Sequence, residues 1–202
     1  MYPVLLVLVI DGLSLAFYSS EIPHLFPYEP DKDLLNKLAG LAVISMGVGS
    51  TIGGYLCGLV ADKKGSRFAG DVGLYGFVFS CAVVQASLFW PSIWLTIITA
   101  FFWGFTLFYI EAWMYIVCSR HYHGKSEAYS VNKQLHSVFY LIAQIAIFLT
   151  DNDLPLKIII AGLALLVVPT LLMVRKLPPA AQHWTWTHVY SHHSLYFHLT
   201  TL

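Results

Sequence analysis

Residues Gly47–Arg67 read GVGSTIGGYLCGLVADKKGSR. The stretch starts apolar and dotted with glycine, and it ends in a short charged turn. Gly49 and Gly53 stand four apart, as do Gly54 and Gly58. At that spacing small residues line one face of a helix and let a second backbone approach closely. The apolar run then stops at Asp62, Lys63, Lys64, Gly65 and Arg67, so that Gly58, Asp62, Gly65 and Arg67 fall in the order G-x-x-x-D-x-x-G-x-R. Asp62, near the end of one helix, faces the start of the next, where a carboxylate meets the positive end of a helix dipole. Gly65 permits a tight turn, and Arg67 is near enough to pair with Asp62. The stretch therefore predicts two apolar helices joined by a compact charged turn.

Composition says what surrounds those helices. Hydrophobic residues make up 57% of the 202-residue chain and charged residues only 11%. A soluble domain carries about 25% charged residues, so most of this surface is expected to face lipid. At about 20 apolar residues per span, the length accommodates about six helices. The apolar runs are long and continuous, unlike the short alternating segments of a membrane β-barrel. The predicted class is all-α: a polytopic, multi-pass membrane protein with six transmembrane helices. Its first partner is the lipid bilayer. The formal net charge is zero, and nothing points to nucleic acid.

In chain order the spans are predicted at Pro3–Ile22, Leu38–Ala61, Ala69–Phe89, Ile93–Val117, Ala128–Thr150 and Leu156–Val174. Asp11 lies in the middle of the first. An acid there costs about 2.5–3.5 kcal/mol on insertion scales and is expected to face protein or a cavity. Glu21 closes that span, and the proline-containing loop His24–Lys37 follows. Gly70, Gly73 and Gly76 give the third span a small face, and Pro91 ends it. Trp94 and Trp113, near the ends of the fourth, are expected as interface anchors, with Glu111 in its last two turns. The fifth opens on Asn132, Lys133, Gln134 and His136. Cys57, Cys81 and Cys118 lie in or at the end of apolar segments, without metal-ligand spacing, and read as small buried hydrophobes.

Basic residues gather in alternate loops: Lys63, Lys64 and Arg67, then Arg120 and Lys125, then Arg175 and Lys176. With six spans these share one side, so the positive-inside rule places both termini in the cytosol or its equivalent. No feature fixes an organelle. Residues 1–176 form the expected transmembrane unit. Residues 177–202 differ in character, with Trp184, Trp186 and five histidines, and read as a disordered or interfacial tail. That tail has no Asp, Glu or Cys, and no metal or cofactor is expected.

Five stretches carry a family resemblance. The turn at Gly58, Asp62, Gly65 and Arg67 resembles the loop signature of the major facilitator superfamily, although Ser66 stands where the generic pattern has a basic residue. Gly12–Ser20 and Gly47–Gly58 resemble successive helices of its UNC-ninety-three-like branch. Trp103–Phe108, WGFTLF, falls where members carry a glycine-rich motif. Ser126–Val138, SEAYSVNKQLHSV, resembles the opening of the following helix. The resemblance covers about residues 5 to 175 and implies a major-facilitator half-bundle, helices seven to twelve of a twelve-helix fold. It departs around Glu111, where members carry a different acidic and amide pattern.

Such halves enclose a substrate path only in pairs, so a second six-helix half or another membrane protein is the expected partner. The family is associated with regulating or chaperoning membrane proteins, including ion channels, and with transport. Asp11, Glu21, Glu111, Lys133 and Gln134 are the candidate cavity residues. Glu21, Glu111 and Lys133 lie near span ends and are expected to pair locally or reach the interface, whereas Asp11 carries the functional expectation. A structural subunit of a membrane assembly and an inactive truncated product are the alternatives. The sequence contains no nucleophile–base pair, metal motif or phosphate loop, and an enzyme is not expected.

Overall fold

A computed structural model describes residues 2–21, 26, 32–121, 126–148, 162–170, 172 and 175. Five long helices follow in order: α1 (Tyr2–Glu21), α2 (Lys32–Lys64), α3 (Ser66–Phe89), α4 (Ile93–His121) and α5 (Ser126–Phe148). Residues 162–170 form a further helix, α6. There is no strand among the described residues. Three helices are long and apolar enough to cross a membrane, within Asp33–Lys64, Ser66–Phe89 and Ile93–Arg120. Among the described residues α1 adds the apolar stretch Val7–Ala16. The polar opening of α5 lowers its mean hydropathy below that of a simple span. The predicted turn Asp151–Pro155, the start of the sixth span and the tail lie outside the described residues.

The helices overrun the expected spans. Leu38–Ala61 was the span expected from apolarity, but α2 starts at Lys32 and ends at Lys64. The fourth span was expected to stop at Val117, but α4 continues to His121. Hydropathy marks where hydrocarbon begins and ends, whereas backbone hydrogen bonding continues into the headgroups. At 1.5 Å per residue α2 is about 50 Å long, well beyond a hydrocarbon core of about 30 Å.

The turn after α2 is a single residue. Gly65 adopts φ +89°, a left-handed conformation open to glycine at little cost. Its N–H donates to the Ala61 carbonyl at 3.0 Å, and its own carbonyl accepts from Ala69 N–H at 3.1 Å, so both flanking helices are capped through it. At the other end of α3, the chain turns at Trp90–Ser92 around Pro91, and the Ser92 carbonyl accepts the N–H of Thr96 at 2.9 Å.

The most extensive helix contact is α2 against α4, followed by α1 against α5 and α3 against α4. Glycine makes the first possible. A Cβ at Gly49 or Gly53 would collide with the carbonyl oxygens of Phe101 or Phe105, and one at Gly104 with that of Met46. Across the same seam Ser45 Oγ donates to the Ile97 carbonyl at 3.0 Å. The second glycine pair behaves otherwise: nothing lies within 4 Å of a Cβ built at Gly54 or Gly58. They belong to an open face of α2 that also carries Val43, Ile44, Val48 and Tyr55.

The core lies between α1, α3 and α4, around Leu74, Phe77, Trp103, Tyr109 and Trp113. Phe77 and Trp103 meet at 5.5 Å between ring centres. Trp113 is thus corrected from interface anchor to core residue. It is 1% exposed and its Nε1–H donates to the Ser66 carbonyl at 2.6 Å, against the space left by Gly70. Trp94, in contrast, is exposed. Cys57, Cys81 and Cys118 are buried free thiols. Large exposed side chains such as Phe68, Tyr75, Phe79, Ile98, Leu141 and Ile145 make an outer surface suited to lipid rather than water.

Candidate functional site

Polar chemistry concentrates where α1, α4 and α5 meet. On α5, Tyr129, Asn132, Lys133 and His136 stand at i, i+3, i+4 and i+7, so they share one face. On α4, Glu111 and Tyr115 are one turn apart and face them. On α1, Asp11 is the acid. Its neighbour Gly12 sets the approach: a Cβ at Gly12 would lie 2.8 Å from the His136 carbonyl oxygen and 2.9 Å from the Phe139 Cβ. The Asp11-Gly12 pair therefore supplies both the carboxylate and the room to bring it against α5.

Asp11 is 2% exposed. Its Oδ2 lies 2.7 Å from His136 Nδ1, which donates where that nitrogen carries the proton. Among the described residues, neither the buried Asp11 Oδ1 nor the buried Asn132 Oδ1 has a hydrogen-bond partner. A second pair adjoins the first: Lys133 Nζ meets Glu111 Oε1. Tyr115 Oη donates to the same carboxylate at 3.1 Å, and Lys133 Nζ lies 5.5 Å from the centre of the Tyr115 ring. Tyr129 stacks on Tyr115 at 5.9 Å. The two pairs differ in exposure. The Lys133 side chain is 50% exposed and Glu111 18%, whereas the Asp11–His136 pair is almost sealed.

Side chains from both neighbours hold α1 in place. Trp103 Nε1–H on α4 donates to the Ser14 carbonyl at 3.2 Å. Gln144 Nε2–H on α5 donates to the Ala16 carbonyl at 3.3 Å. Ser14 Oγ–H donates to the Ile10 carbonyl of its own helix, as hydroxyls inside apolar helices commonly do.

The structure thus brings together three of the five expected cavity residues, Asp11, Glu111 and Lys133. Gln134 is exposed and stands apart, because adjacent residues on a helix point about 100° from each other. Glu21 ends α1, and its side chain lies outside the described residues. The sequence reading passed over His136, Asn132 and Tyr115 as site residues. The three-residue step from Lys133 to His136 was the available signal.

At the turn between α2 and α3, Gly65 takes the positive φ that a tight turn admits. Asp62 reaches Arg120 Nη2 at 3.4 Å, with the aspartate side chain 75% exposed. Local spacing pointed to Arg67, which is exposed in the first turn of α3; Arg120 belongs to the far end of α4. Gly58 makes no close contact. With Trp113 bound to Ser66, the turn is fastened to α4 at two points.

Among the described residues no group of three or more His, Cys, Asp or Glu side chains is placed to hold a metal ion. The chain matches no protein-family model and no curated protein.

Proposed function

We propose that this multi-pass membrane protein is a six-span half-bundle of the UNC-ninety-three-like major facilitator type, with both termini cytosolic. In this reading it works against a second six-helix half or another membrane protein, in transport or in regulating a membrane partner. One observation carries the reading: two polar pairs, Asp11–His136 and Glu111–Lys133, join three largely apolar helices. Ionisable groups in lipid-embedded helices are costly and mark pathways and relays by default. The one-residue turn at Gly65 and the open face of α2 add support, the first by matching the loop signature and the second by leaving an apolar helix surface uncovered.

A second reading has its own support. Asp11 is sealed by protein and Gln134 points elsewhere, as a packing subunit without a pathway requires. Cysteine accessibility separates the two. On a background lacking the native thiols, single cysteines replace Leu13 and Leu135, beside the site, and Ile98 and Leu141, on the outer surface. A pathway protein reacts with a membrane-impermeant thiol reagent at Leu13 and Leu135 and not at the outer pair. Protection of all four positions in every condition rejects the pathway and leaves the structural subunit.

A further inference from the structure

We propose that Asp11 and His136 together form a proton-binding site, holding one exchangeable proton inside the α1–α5 interface. The proposal rests on α1 and α5 being embedded in lipid, and not on the carrier reading.

Charge counting comes first. Glu111 and Lys133 neutralise each other. Asp11 with a neutral imidazole would leave one uncompensated negative charge in a nearly sealed, low-dielectric place. One added proton, on His136 or on Asp11, makes the pair neutral, and the 2.7 Å separation suits a hydrogen bond in either arrangement. The bare oxygens come second. A fixed carboxylate that served only as a structural acceptor would be expected to have both oxygens satisfied, yet Asp11 Oδ1 has no donor among the described residues. Asn132 Oδ1, one turn before His136 on the same face, has none either. Two unfilled acceptors beside an Asp–His pair suit a site that takes up a proton, or a water that brings one.

The surroundings are compatible with exchange. The titratable and charged groups facing the pair are Glu111 and Tyr115 from α4 and Lys133 from α5, with the Tyr140 phenol a turn beyond His136. The described residues of α6 contribute none. The Glu111–Lys133 pair, with Lys133 half-exposed, adjoins the sealed one and gives it a polar border.

The test compares thermal unfolding of the full chain in lipid nanodiscs across about pH 5 to pH 8, the range in which histidine ordinarily changes charge. Differences from wild type cancel the other histidines. In Asp11→Asn, imidazolium loses its counter-ion, so the protonated state is penalised. The melting-temperature gap to wild type is therefore widest at the acid end and narrows as pH rises. In His136→Gln, the buried carboxylate is left alone and the gap instead widens from the acid end upward. The double variant Asp11→Asn with His136→Gln titrates at neither position, so its gap narrows only where wild type holds a proton that the unfolded chain has released. An Asp11→Asn gap that stays constant with pH overturns the proposal, because the wild-type pair would then bind no proton that the variant lacks. If Asp11→Asn does not fold, the double variant decides: its gap narrows as pH rises where wild type holds the proton, and widens where the wild-type imidazole is neutral throughout. A pH-independent pair with thiol-accessible Leu13 and Leu135 rejects the proton site and keeps the carrier. Opposite pH trends with protected positions do the reverse.

Discussion

Asp11 and His136 are 125 positions apart in sequence, and each is the other's main compensation for being buried. Removing one leaves an unpaired polar or charged group in the interior. Asp11→Ala or His136→Ala is expected to cost about 3–5 kcal/mol, whereas replacing both by leucine is expected to cost much less, since apolar residues of similar volume often substitute for a buried pair. Unfolding of the purified variants checks the contrast, and equal losses for the single and double changes would remove the pairing argument. Glu111→Gln should cost only about 1 kcal/mol or less, because Lys133 is half-exposed and can reach water. Trp113→Phe removes the N–H that reaches Ser66 and is expected to cost about 1 kcal/mol. A change within measurement error there would mean that the indole acts through shape alone.

Between elements, the deciding quantity is how closely two backbones lie. Gly53→Leu should separate α2 from α4 and yield aggregated protein on size exclusion, since the new side chain meets a carbonyl oxygen. Gly54→Leu, one residue on, points into open space and should leave the isolated chain monodisperse. Strong damage from Gly54→Leu would show that the outer face of α2 is not open in the protein as expressed. Gly12→Val should push α1 off α5 and break the Asp11–His136 contact without touching either residue, reproducing the stability loss of His136→Ala. This scale also shows where sequence is legible. Glycine spacing showed that α2 has small faces but not which of them meets α4, because Gly49–Gly53 and Gly54–Gly58 have the same pattern. Helix phase separates Lys133 from Gln134, and hydropathy does not. The helix ends at Lys32 and His121 were hidden because charged residues stop a hydropathy run without stopping a helix.

For the whole molecule, composition was the strongest signal: an apolar, charge-poor chain gave long helices with large side chains outside. Three of those helices satisfy the requirements of a span by themselves. The polar cluster joins one of them, α4, to α1 and α5, and α5 loses hydropathy through Asn132, Lys133 and His136 themselves. Trp113 shows the limit of composition, for aromatic residues near a helix end serve lipid interfaces and cores alike, and only the position of Gly70 opposite it decides. Protease protection of terminal tags in sealed vesicles is expected to show both ends on one side; opposite exposure would require an odd number of spans. The turn at Gly65 has a consequence for biosynthesis. With one residue between α2 and α3, neither helix can cross the bilayer and wait for the other, because no slack exists to reach back. The two are expected to leave the translocation machinery together as a hairpin, with Lys63 and Lys64 at its tip. Gly65 then governs the order of assembly as well as the shape of a turn.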